Sequence, residues 1–246
     1  MRWIYISPHL DDAVLSAGGL IHEQTRAGLP VEIWTLMCGF PPGDELSPFA
    51  QVLHFQWGFP SAGEAVRLRR AEDERAAAIV GAKTVHFDFL DCIYRRGADG
   101  SWLYPLEVFV PPLPEEADLP AQIAAAISAR LQPDDVVVGQ FGIGRHVDHA
   151  TVRRAVERLN RPIWYDADIP YLFNHPSELA PNTAGMQEAL QPVTESGLEA
   201  WVEGISAYRS QLSSLFESPE ALFEAVRAYG RDKGGISLWR LAANES

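Results

Sequence analysis

The stretch Trp3-Ile4-Tyr5-Ile6-Ser7-Pro8-His9-Leu10-Asp11-Asp12-Ala13-Val14-Leu15 decides the fold. Its first half is a run of aromatic and β-branched residues bounded by a proline, which predicts a strand over 3–7. From Ala13 apolar residues recur at Val14, Leu15, Leu20 and Ile21, which predicts a helix over 13–27. A strand that passes straight into a helix opens a βαβ unit. The joint, Pro8 to Asp12, therefore stands at a strand's carboxyl end, where parallel α/β sheets bind ligands.

The alternation continues along the chain. Strands are expected at 31–37, 84–89, 135–140 and 162–166, and helices at 62–81, 121–131 and 149–159. Past 166, residues 169–192 read as irregular, 198–216 and 219–229 as helical, and 236–242 as a strand or an extended tail. Two stretches dense in Gly, Pro and aromatics, 38–63 and 91–120, exceed the usual βα connection, and such long loops usually serve function. No linker divides the chain. A single α/β domain over 1–246 is expected, with a Rossmann-like, mostly parallel sheet and helices on both faces. In the doubly wound order 3-2-1-4-5, strands one and four are neighbours and the chain reverses between them. That topology brings Pro8-His9-Leu10-Asp11-Asp12 against His146-Val147-Asp148-His149, which follows strand four.

Charge and composition narrow the partners. A formal net charge of -13 over 246 residues argues against nucleic acid, because phosphate binding draws on clustered Lys and Arg. The short basic patches at 67–70, 95–96 and 153–154 read as solvated surface. Cys38 and Cys92 are too few for a disulfide framework and lack CxxC spacing. They read as small buried apolar residues in a reduced, cytoplasmic setting. No apolar run reaches the length of a membrane span. The opening strand leaves no room for a signal peptide, so the mature fold is expected to begin at residue 1.

The two clusters hold three imidazoles and three carboxylates in nine residues. A catalytic zinc takes three ligands from His, Asp or Glu and keeps a position for water. His9, Asp12 and one histidine of the second cluster meet that count. A neighbouring carboxylate that is not a ligand can take a proton, a role open to Asp11 or Asp148. His146 and His149 are three apart, so on a helix's first turn both can face one side, one as ligand and one toward substrate. An Asp-Asp pair ahead of a helix also suits plain capping. His22, His54, His86 and His175 stand alone and read as structural. The coincidence of both clusters at strand ends favours a metal.

On these residues the chain resembles the PIG-L/LmbE-like family of zinc-dependent N-acetyl-sugar deacetylases, marked by a PHxDD segment after the first strand and HxDH after the fourth. The likeness extends to Arg69-Arg70-Ala71-Glu72 with Ala76 and Gly81, to Asp91, and to Tyr208-Arg209-Ser210-Gln211. The resemblance implies one Zn2+ per chain, or another divalent metal, held by His9, Asp12 and His149. It implies Asp11 as general base and His146 as the group that stabilises the oxyanion or protonates the leaving amine. Asp148 would support a neighbouring histidine from behind, and Arg69 and Asp91 would contact the substrate. The implied reaction is removal of acetyl from an N-acetylglucosamine-type sugar or conjugate, by a chain that forms homo-oligomers. Leu10, Ala13 and Trp201 depart from the Pro, Glu and Lys that the family often carries, and none is a ligand or the base. Phe40, Phe55, Trp57, Phe59, Tyr94, Trp102 and Tyr104 in the long loops are expected either to stack on sugar or to pack.

Two other functions stay open. A metal-dependent hydrolase of another amide or a phosphoester is one, and phosphoesterases commonly use two metals about 4 Å apart. A nucleotide-binding module is the other, although it would want a Gly-rich turn after strand one, and Gly18-Gly19 lies inside the helix.

Overall fold

In the computed structural model, which describes residues 1–242, the opening strand lies inside a seven-stranded sheet. The last four residues of the expected 1–246 domain lie outside the described residues. β1 (Trp3–Ser7), β2 (Val31–Met37), β3 (Lys83–Phe89), β4 (Val136–Gln140) and β5 (Ile163–Asp166) run parallel. β6 (Met186–Pro192) and β7 (Gly235–Leu241) pair antiparallel with each other, and β7 joins β5 at Tyr165 opposite Trp239. The order is β3-β2-β1-β4-β5-β7-β6. The expected 3-2-1-4-5 core is present, and two antiparallel strands extend it at one edge.

The helices are α1 (Asp12–Arg26), α2 (Pro48–Trp57), α3 (Ala62–Val80), α4 (Leu119–Ser128), α5 (Val147–Val156), α6 (Tyr171–Asn174), α7 (Leu179–Thr183), α8 (Glu195–Ser206), α9 (Leu212–Leu215) and α10 (Pro219–Lys233). Side chains alternate across a strand, and β1 divides its own accordingly. Tyr5 joins the core under α1, α3, α8 and α10, while Ile4 and Ile6 join the core under α4 and α5. Helices thus cover both faces. Among the described residues no helix is long and apolar enough to cross a membrane.

α1 and α8 pack closely because α1 carries a glycine at the crossing. A Cβ on Gly18 would stand 2.7 Å from Trp201 Cδ1, and Trp201 Nε1 donates to Val14 O at 2.8 Å. The glycine pair inside α1 is therefore a packing device and not a displaced phosphate loop. Trp201, fully buried, locks the two helices together.

Three expectations are corrected. The stretch 38–63 contains α2, started by Ser47, whose hydroxyl accepts from Ala50 N, and closed by left-handed Gly58. The stretch 169–192 holds α6, α7 and β6. The helix expected over 198–216 ends at Ser206, because the following turn is tied elsewhere. There Tyr208 Oη donates to Asp73 at 2.9 Å and Ser210 Oγ to Glu72 at 2.6 Å, both carboxylates on α3.

Candidate active site

The joint after β1 is organised by its own short side chains. Ser7 Oγ accepts from Ala13 N at 3.1 Å, and Asp12 Oδ2 accepts from His9 N at 2.7 Å. Asp11 occupies the cap position of α1, yet its carboxylate caps nothing. The capping alternative therefore fails for Asp11, which is free to face the cavity. After β4 the chain turns through Gly142, Gly144 and Arg145, all with positive φ. That turn delivers His146 as the cap of α5, where its Nδ1 accepts from Asp148 N at 3.2 Å.

Both clusters meet across the β1/β4 junction. His9 Nδ1 lies 3.4 Å from Asp12 Oδ2, and His149 Nε2 lies 3.4 Å from Asp12 Oδ1. Ligands about 2.0–2.1 Å from a tetrahedral zinc stand roughly 3.3–3.4 Å from one another, and each oxygen of Asp12 stands at that distance from one imidazole nitrogen. His149 Nε2 is buried without a hydrogen-bond partner among the described residues, a costly state that a cation on its lone pair relieves. Two imidazoles and a carboxylate are a donor set that zinc accepts readily. The nitrogens of His9, His146 and His149 also lie within 4.8 Å of one another. His146 already accepts the Asp148 amide on Nδ1, which leaves Nε2 to carry its ring proton.

Each of these two imidazoles has a carboxylate behind it. His9 Nε2 is 3.0 Å from Asp148 Oδ2, and His149 Nδ1 is 3.4 Å from Asp168 Oδ1. Asp148 is fully buried, accepts from Cys92 N at 3.0 Å, and is neutralised by Arg95 Nη1 at 2.6 Å.

The charges are set by burial and by one another. Burial, and then Asp12 beside it, push the Asp11 carboxyl up to about 7, against the pull of Arg69 3.7 Å away. Burial opposes ionisation of Asp12 as well, but His149 and His9 hold its carboxyl well below the usual range. Burial, and then the nearby His9, drive the His146 imidazole well below its ordinary value.

These groups open onto a cavity of about 190 Å³ lined by His9, Asp11, Asp12, Arg69, Asp91 and His146. Asp148 and His149 lie behind that wall. The Arg69 guanidinium sits 5.0 Å over the Trp57 ring and 3.9 Å from Asp91. Asp91 also accepts from Ile93 N through Oδ1. All eight residues singled out in the sequence thus gather in one region.

The apolar wall was not foreseen in the sequence. Phe49, Leu53, Val108, Phe109, Tyr171 and Leu215 line the cavity with Gln211. Of the seven loop aromatics, Trp57 alone does so. Tyr94 and Tyr104 are buried and bonded to His54 and Glu116, which is the packing alternative. Phe109 is exposed at the cavity, and Val52, Phe55 and Leu106 are exposed apolar side chains outside its lining. His54 and His86 are structural as expected, paired with Tyr94 and Asp73. Cys38 and Cys92 are free and buried.

Comparison with known proteins identifies the family and the fold. The model of the family described as GlcNAc-PI de-N-acetylase, PIG-L, matches residues 4–160. No curated protein matches the chain in sequence. Among solved structures, the zinc-inhibited form of teicoplanin deacetylase Orf2 is similar with a TM-score of 0.82 and 28% identity over 100% of both chains. The A40926 pseudoaglycone deacetylase Dbv21 is similar at 0.74 and 28% over 99% of both. N,N'-diacetylchitobiose deacetylase from Pyrococcus horikoshii shares the fold at 0.60 and 17% identity, over 96% of this chain and 83% of that one.

Proposed function

The chain belongs to the PIG-L family of GlcNAc-PI de-N-acetylases, and from that membership we propose that it is a zinc-dependent deacetylase freeing the amine of an N-acetylglucosamine-type sugar or conjugate. The observation that carries the proposal is the pair of 3.4 Å separations joining His9, Asp12 and His149 beside the Asp11 carboxylate, which caps no helix and lines the cavity. Zinc held by those three would supply a Lewis acid for the amide carbonyl and lower the pKa of water toward ~7.

The remaining steps fall to the chain's own side chains. Asp11, with its carboxyl near 7, suits a base that takes a proton from the attacking water and returns it to the departing nitrogen. His146 accepts a backbone amide on Nδ1, so its proton sits on Nε2. Burial keeps that ring neutral. It is therefore a hydrogen-bond donor to the carbonyl oxygen as negative charge builds there. Arg69, stacked on Trp57 and flanked by Asp11 and Asp91, is suited to sugar hydroxyls.

The apolar wall supports a conjugate with a sizeable apolar portion, such as the compounds for which the two 28% identical deacetylases are named. Because Tyr171, Gln211 and Leu215 complete the cavity beyond the family match at 160, residues 1–246 are taken as one catalytic unit.

The test is an amine-release assay over N-acetylglucosamine conjugates with and without a chelator. Asp11→Ala is expected to retain zinc and lose hydrolysis, and His149→Ala to lose both. Chelator-insensitive turnover would overturn the proposal, and a zinc stoichiometry near two would favour a two-metal phosphoesterase.

A further inference from the structure

We propose that Asp168 is a positioning residue of the metal centre, holding the His149 ring so that Nε2 faces the cation. The inference rests on the ligand set proposed above.

Asp168 lies just past β5, outside the family match, and its role was not anticipated from sequence. Its side chain is buried at 1 % exposure. Among the described residues no Lys or Arg pairs with it. A buried carboxylate in that state is costly unless hydrogen bonds or a nearby cation compensate. The compensation it finds is confined to the site. Oδ1 accepts from Gly142 N at 2.9 Å and stands 3.4 Å from His149 Nδ1. One oxygen therefore touches both the turn that delivers His146 and the ring of His149.

The backbone supports this aim. Asp168 has φ +51, a left-handed conformation that most side chains avoid. It is fixed there by its own N–H on Asp166 Oδ1 and by Ile169 N on Ser16 Oγ. Asp is among the few residues that tolerate that conformation, and its neighbours hold the carboxylate's direction. The chemistry follows from the acceptor. A carboxylate facing Nδ1 keeps the proton on that nitrogen, leaves the Nε2 lone pair free, and makes it a stronger donor to a metal. Asp148 stands in the same relation to His9, with the difference that Arg95 neutralises it.

The experiment measures zinc affinity by chelator competition, and the visible spectrum of the cobalt-substituted protein, for the parent, Asp168→Asn, Asp168→Ala and His149→Ala. Both Asp168 variants are expected to bind zinc roughly 10–100-fold more weakly and to shift the cobalt bands. Ser16→Ala loosens the same segment without touching the carboxylate and should stay within about twofold of the parent. In the zinc-loaded parent, nitrogen-edited NMR should show a proton on His149 Nδ1, a readout that needs no variant to fold. If His149→Ala binds zinc as the parent does, the ligand set fails and takes this role with it. If His149→Ala loses zinc while both Asp168 variants bind within about twofold of the parent, or if His149 Nδ1 carries no proton, the role of Asp168 alone is overturned.

Discussion

Asp11 sets stability against chemistry within one side chain. Folding raises its carboxyl from the ordinary carboxylate range to about 7, so the folded state prefers the protonated form. The stability tied to that proton is complete below the unfolded value and is lost as pH rises through about 7. In metal-free protein at about pH 8, Asp11→Asn is therefore expected to stabilise the fold by roughly 1–4 kcal/mol. The gain should shrink as pH falls toward about 5. Urea denaturation in chelator at the two pH values checks this, and an unchanged midpoint at the higher pH would refute it. The same variant should reduce turnover by roughly 10²–10⁴ with zinc retained. Both outcomes together are what the proposed role of Asp11 as general base beside Asp12 requires.

At the scale of elements, the crossing of α1 and α8 decides where Asp12 sits, since α1 begins at that residue. Alanine at an exposed helical glycine gains about 1 kcal/mol of propensity. At Gly18 the added methyl meets a fully buried indole at 2.7 Å, and overpacking costs about 1–3 kcal/mol. Gly18→Ala is expected to lower the urea midpoint and weaken zinc binding together. A stabilised variant with parental zinc affinity would show that the crossing has slack.

The elements also show why part of the fold was legible in the sequence and part was not. β1 and α1 carry their periods cleanly, since Ile4 and Ile6 pack on one side and Tyr5 on the other. β6 does not, because Gln187, Glu188 and Gln191 lie on a largely exposed edge strand and need no apolar alternation. α2 had its start and stop in Ser47, Pro48 and Gly58. Its apolar residues face two ways, however, Phe49, Leu53 and Trp57 to the cavity and Val52 and Phe55 to solvent, which hides the amphipathic stripe. The end of α8 depends on Asp73 and Glu72, distant in sequence, and no local pattern announces it. In the site, ligand-type residues were readable because metals demand particular atoms. Asp168 was not, since its meaning comes from a neighbour on another strand's loop.

For the whole molecule, the proposed ligands come from two segments joined only through the sheet, one after β1 and one after β4. Zinc that binds the folded chain alone adds stability by mass action, about 2.7 kcal/mol at a free concentration near 100 times Kd. Calorimetry with and without chelator is expected to show a higher Tm with zinc for the parent and no zinc-dependent shift for His149→Ala. An equal zinc response in both proteins would mean the ion binds elsewhere.

Phe109, an apolar side chain that lines the cavity and is more than half exposed, bears on how activity is measured. Surfactant tails lower their own hydration cost by lying on exposed apolar side chains of this kind. Assays that solubilise a greasy conjugate with detergent will therefore contain a competitor. Inhibition should rise with surfactant monomer and level off above the critical micelle concentration, and Phe109→Ser should blunt it.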